Sequence, residues 1–213
     1  PKSAFGPADV TVVIPTFGNP AGLTDTLQAI SNQGLAKIVV VDDATPAPEG
    51  AEIETTARLF GARYLRLETN RGPAAARNLG LTAVGTPLVA FIDRDVVPEP
   101  GWLRCLLDHF ADPAVVAVAP RIRPETGSDR PRGEVSKRNL RSEARRLLRR
   151  YESSRSPLDL GPLAARVQPR TRVSYVPSTL LVARTESVAG DAAFDVDLRF
   201  GEDRAYAVGQ TRD

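Results

Sequence analysis

Four short apolar runs, each followed by a stretch with helical spacing, fill the first 110 residues. The runs are Val10–Pro15, Lys37–Asp42, Arg63–Leu67 and Leu88–Asp93, and the helical segments are Gly22–Gln33, Gly50–Phe60, Pro73–Val84 and Pro100–Phe110. Short runs rich in Val and Ile read as strands buried on both faces. Strands joined through helices pair in parallel by right-handed crossovers. The expected fold is therefore α/β, a mostly parallel, Rossmann-like sheet with helices on both faces. Such sheets bind ligands at the carboxyl ends of their strands.

Asp93-Arg94-Asp95 closes the fourth run and places two acids at that edge. Residues i and i+2 of a strand point to one side, roughly 6.5 Å apart, so the pair is expected to repel unless a cation joins it. Oxygen-only ligands suit Mg2+ or Mn2+, which in turn suit a diphosphate. Asp42-Asp43 ends the second strand, where either acid could accept hydrogen bonds from a base or ribose or could simply brace a turn. In Asn70-Arg71-Gly72-Pro73-Ala74-Ala75-Ala76-Arg77-Asn78, small residues allow close helix–sheet packing and the helix start can face an anion. Glu202-Asp203, after Phe200-Gly201, offers a general base or a solvated turn.

With 213 residues, 42% of them hydrophobic and 25% charged, the chain can build one full core. The net charge of +2 indicates no nucleic-acid partner. Charge concentrates between Arg121 and Arg155, where twelve Lys/Arg face five Asp/Glu. The predicted helix Val135–Tyr151 lies within this stretch. It reads first as a solvated helix packing its leucines on the sheet and second as a membrane-surface contact through residues 137–150. Ala114–Pro120 and Val173–Ala183 are expected as further strands. Cys105 excludes an internal disulfide, fits a reducing cytoplasmic compartment and is expected in the core, with His109 on a helix surface. The expected division is a nucleotide-binding half, 1–120, and an acceptor-side half, 121–213, of one domain. The start at Pro1 and the absence of Met suggest a piece of a longer product that could be membrane-associated.

Taken in order, the Thr-Val-Val-Ile-Pro-Thr-Phe start, Asp42-Asp43, the Arg77-Asn78 helix, Asp93-Arg94-Asp95 and Gly201-Glu202-Asp203 resemble family 2 inverting glycosyltransferases of the GT-A fold. The resemblance implies that Pro15, Thr16 and Phe17 frame a nucleotide pocket, that Asp43 hydrogen-bonds the base and that Arg77 lies by the nucleotide-sugar. It implies further that Asp93 contacts ribose or sugar, that Asp95 holds Mg2+ or Mn2+ on the diphosphate, that Glu202 contacts the substrate, and that Asp203 is the catalytic base toward an acceptor hydroxyl. The segment Tyr151–Pro162, with Val173–Ser178, is similar to the glycosyltransferase family of the mycofactocin system, which builds a glucose oligosaccharide on a small peptide-derived redox cofactor. That likeness implies UDP-glucose as donor and a saccharide or small modified peptide as acceptor. The family continues past Gly-Glu-Asp into an apolar helix, so an incomplete acceptor side is expected here. Two other readings stay open, a nucleotide-sugar binding module without turnover and a sugar nucleotidyltransferase. The latter usually carries a glycine-rich basic loop where this chain has Phe17-Gly18-Asn19-Pro20.

Overall fold

The computed structural model describes residues 4–35, 37–122, 165–166, 178–190 and 193–196. The expected basic helix, the Tyr151–Pro162 and Val173–Pro177 segments and Glu202-Asp203 lie outside them. Six strands form one sheet: β1 (Val10–Thr16), β2 (Ile38–Asp42), β3 (Arg63–Arg66), β4 (Leu88–Ile92), β5 (Ala117–Val118) and β6 (Leu180–Arg184), in the order β3-β2-β1-β4-β6-β5. The helices are α1 (Pro20–Ser31), α2 (Glu49–Leu59), α3 (Pro73–Leu81), α4 (Trp102–Leu107) and the single turn α5 (Thr185–Val188). Pairing from β3 to β4 is parallel, while β6 runs antiparallel to both β4 and β5.

Alternation along the strands builds a core on each face. Val10, Val12, Ile14, Val40, Leu88, Ala90 and Ile92 pack against α1, α2 and α4. Val13, Val39, Val41, Val89 and Phe91 face the other way, toward α3. Both sides of the central strands are covered, so they read as continuous apolar runs and every residue of β1, β2 and β4 is buried. The alanines of α3 serve close approach: a Cβ added at Gly80 would stand 2.3 Å from Val13 Cγ1 and 3.2 Å from Val41 Cγ2. Any larger residue there would lift the helix off the sheet.

Element ends differ from expectation where the backbone makes specific turns. Residue 101 is a glycine at φ 81°, so α4 starts at Trp102 rather than Pro100, and Asp108–Ala111 tightens into a 3-10 turn. The Ala114–Pro120 strand shortens to two residues. Cys105 is exposed, not in the core, because Leu103, Leu106 and Leu107 take the buried stripe of α4. Among the described residues no helix is long and apolar enough to cross a membrane.

Candidate functional site

The strand order reverses between β1 and β4: β2 follows β1 on one side, and β4 sits on the other. That switch point leaves a crevice beyond the carboxyl ends of the two strands. Thr16 and Phe17 stand on one side of it, and Asp93-Arg94-Asp95 on the other.

The acidic triplet is a turn, not the strand end its sequence suggests. Ladder pairing of β4 with β6 stops at Ile92↔Leu180, Asp93 N donates to Thr179 O at 3.0 Å, and Val96 N donates back to Asp93 O at 3.1 Å. The two carboxylates therefore do not share one side of a strand. Thr26, fully buried on α1, holds this turn from below, with its hydroxyl 2.9 Å from Arg94 O and 2.8 Å from Val96 O. Gly22 on the same helix permits the approach, since a Cβ there would lie 3.3 Å from Arg94 O and 2.6 Å from the Asn19 amide nitrogen.

The two acids have different fates. Arg77, 2% exposed on α3, donates through Nη2 to Asp93 Oδ1 at 3.0 Å. Its guanidinium also stacks 5.3 Å from the centre of the Phe194 ring. Charge compensation for Asp93 thus comes from α3 across the sheet. Asp95 is exposed and has no ion-pair partner among the described residues. No group of three or more His, Cys, Asp or Glu converges on one point among those residues. A single open carboxylate still fits Mg2+ or Mn2+, ions that keep several waters and bind through one or two protein carboxylates plus substrate phosphates.

At the end of β2 the acid pair divides its labour. Asp42 is fully buried and braces the turn: it accepts from Thr45 N (2.9 Å), from Tyr64 Oη (2.8 Å) and from Arg66 Nη1. Arg66 Nη2 also donates to Thr45 O at 2.8 Å. Asp43, 4% exposed, points to the loop before α3, where Arg71 N and Gly72 N donate to its two oxygens at 2.7 and 2.8 Å. Burial pushes the Asp43 carboxyl above its ordinary value of 3.8, outweighing those two amides, which pull it down. Gly72 adopts φ 87°, a conformation that disfavours side chains, so a glycine is needed where the loop turns over Asp43. Pro15, on β1, is buried, and Phe17, the residue after the strand, is 43% exposed. Thr16 is 2% exposed, yet its hydroxyl has no hydrogen-bond partner among the described residues.

These features sit within residues 11–164, which match the profile of glycosyl transferase family 2. The chain belongs to glycosyl transferase family 2. It is 39% identical over 205 residues to the pre-mycofactocin glycosyltransferase of Mycobacterium tuberculosis, an alignment covering 95% of this chain and 39% of that protein. The chain thus spans about two fifths of the length of that relative. The succinoglycan biosynthesis protein ExoO of Rhizobium meliloti is 32% identical over 117 residues, 52% of this chain and 32% of its own length. Among solved structures, the S. aureus TarS 1–349 fragment superposes with a TM-score of 0.67 at 20% identity, covering 93% of this chain and 54% of that one. The mannosyltransferase PcManGT of Pyrobaculum calidifontis, solved with GDP-Man and Mn2+, superposes at 0.63 with 18% identity, covering 99% of this chain and 55% of that one. Both are GT-A glycosyltransferases and bear on the fold.

Of the residues that family resemblance singled out, Pro15, Thr16, Phe17, Asp93 and Asp95 gather around the crevice between β1 and β4. Arg77 reaches it from α3, and Asp43 stands behind the adjoining loop. Glu202 and Asp203 lie outside the described residues. Two contributors escape sequence reasoning. Thr26 is the one polar residue among the buried positions of α1, beside Leu23, Leu27 and Ile30, and that is a usable signal. Phe194 belongs to no helix or strand, so no periodicity exposes it.

Proposed function

We propose that the chain binds a nucleoside-diphosphate sugar in this crevice and transfers the sugar, glucose from UDP-glucose, to an acceptor hydroxyl with inversion. The acceptor is a saccharide or a small peptide-derived redox cofactor. The observation that carries this reading is the open Asp95 carboxylate, mounted on a turn pinned by Thr26 at the strand-order switch point. Membership in glycosyl transferase family 2 supports the reaction class, and the pre-mycofactocin relative supports the acceptor. Fold neighbours solved with nucleotide sugars, PcManGT with GDP-Man and TarS with UDP-GlcNAc, support the donor class.

In this reading Asp95 holds Mg2+ or Mn2+, and that ion, when bound, supplies Lewis-acid stabilisation of the departing diphosphate. The chain's own groups do the rest. Phe17 offers its exposed ring to the nucleotide, over the wall made by Pro15 and Thr16. The Thr16 hydroxyl finds in the ligand the partner it lacks among the described residues. Asp43 fixes the Arg71–Gly72 loop and keeps lone pairs on both oxygens for a base N–H. Arg77 pairs with Asp93 and aims it, and Asp93 accepts from ribose or sugar hydroxyls. Asp203, with Glu202 beside it, takes the proton of the acceptor hydroxyl as its oxygen attacks the anomeric carbon from the face opposite the diphosphate.

A panel of UDP- and GDP-sugars, with and without Mn2+ and acceptor, tests the proposal through nucleotide release and product mass. It predicts release from UDP-glucose that needs both metal and acceptor. Binding without transfer would favour a non-catalytic module, and pyrophosphate formation from UTP and a sugar phosphate would favour a nucleotidyltransferase.

A further inference from the structure

Asn78 grips a single residue far along the chain. Its Nδ2 donates to Phe194 O at 2.8 Å, and its Oδ1 accepts from Phe194 N at 3.0 Å. One carboxamide thus satisfies both backbone groups of a residue 116 positions away, in the way a neighbouring strand would. The grip puts the Phe194 ring, 3% exposed, against two side chains, one aromatic and one cationic. It meets Phe91 of β4 edge to face, with centroids 5.0 Å apart at 86°. Its face receives the Arg77 guanidinium at 5.3 Å. Arg77 and Asn78 are consecutive on α3, so the residue that fixes the ring and the residue that lies on it move together.

This stack adds a second contact to the ion pair with Asp93 that holds the 2%-exposed Arg77. A desolvated guanidinium is held in register by a ring face as well as by a carboxylate, and a planar cation on an aromatic face resists rotation out of plane. The geometry points to Asn78 and Phe194 as positioning residues: together they lock the Arg77 rotamer that presents Nη2 to Asp93, on the wall of the crevice. The inference rests on the proposed glycosyl transfer for its kinetic consequence, but not for its geometry.

The test uses Phe194→Leu, which keeps apolar bulk and removes the ring face, with Phe194→Tyr as the conservative rescue and Asn78→Ala as an independent way to loosen the clamp. NMR of the guanidinium is read first, because it does not depend on turnover. The parent and Phe194→Tyr are expected to show slowed rotation and resolved Arg77 Nη protons, while Phe194→Leu and Asn78→Ala show them averaged. Kinetics with UDP-glucose follow. A loss of about tenfold or more in kcat/KM is expected for Phe194→Leu, with Phe194→Tyr within about threefold of the parent and all variants melting as folded proteins. Equal Arg77 dynamics in parent and Phe194→Leu would overturn the inference. So would a loss of activity that Phe194→Tyr does not recover. Slowed Arg77 rotation in a parent that turns over no donor would leave the clamp standing and sink the proposed function instead.

Discussion

At the amino edge of the sheet, polar side chains close on one another. Thr86 Oγ1 donates to Leu88 O at 2.8 Å, so the Thr11 hydroxyl, 2.7 Å away, must be the donor between the two. Thr185 Oγ1 then donates to Thr86 O at 2.8 Å. At the carboxyl edge of the same strands, the Thr16 hydroxyl is buried with no partner among the described residues, Asp95 is open, and Asp43 is pushed toward its protonated form. Thr11 and Thr16 belong to one strand and are 4% and 2% exposed. What separates them is whether the fold supplies a partner. An edge whose hydrogen bonds are complete needs nothing more. An edge with orphaned groups is unfavourable by itself and becomes favourable when a ligand completes it.

The largest expected departure from this contrast is Arg77→Met. It removes the cation that compensates Asp93, and kcat/KM is expected to fall by about 100-fold or more. Unfolding in urea should show a loss of about 2 kcal/mol. That is less than the roughly 3–5 kcal/mol of a wholly buried pair, because Asp93 keeps 32% of its side-chain exposure. Asp43→Asn comes next. It turns an amide N–H₂ toward one of two backbone donors and should cost about 1–2 kcal/mol. It also sharpens a pH signature. With its pKa raised, folded Asp43 keeps its proton longer than the unfolded chain does. Its contribution to the unfolding free energy therefore falls as pH rises from 3.8 through the raised value. Urea melts across that interval should show this fall in the parent and lack it in Asp43→Asn.

The two threonines provide the direct contrast. Thr16→Val keeps shape and removes an unsatisfied buried hydroxyl, so thermal stability should hold or rise slightly while the donor KM increases about 5–10-fold. Thr11→Val should do the reverse, with a loss of about 1 kcal/mol or less and an unchanged donor KM. If both variants behaved alike in either assay, the distinction between the two edges would be lost.

The sequence was most legible where packing is two-sided. Continuous apolar runs located β1, β2 and β4 to within a residue or so, because strands buried on both faces have no other composition available. The small residues of α3 announced its close approach, which Gly80 bears out. The site was legible in its residue types but not in its geometry. Asp93-Arg94-Asp95 looked like the end of a strand, because nothing local shows that Val96 N returns to Asp93 O or that Thr26 holds the turn from another helix. Asp42 and Asp43 could not be told apart until Tyr64 and Arg66 claimed one and the Arg71–Gly72 amides the other. Phe194 was invisible because its role depends on contacts with residues more than one hundred positions earlier. Thr26 under the acidic turn, the Arg71–Gly72 amides on Asp43 and the Phe194 contacts are long-range features that sequence periodicity does not encode.

The central claim is that the open carboxylate of Asp95 receives a divalent ion that binds a nucleotide's diphosphate. Thermal melting with saturating UDP, with and without Mn2+, measures this directly in the parent and in Asp95→Ala. The parent is expected to gain about 5–10 °C only when UDP and Mn2+ are present together, and Asp95→Ala, equally stable without ligand, to gain nothing further from the metal. If Asp95→Ala kept the parent's full metal-dependent gain, the claim would be contradicted.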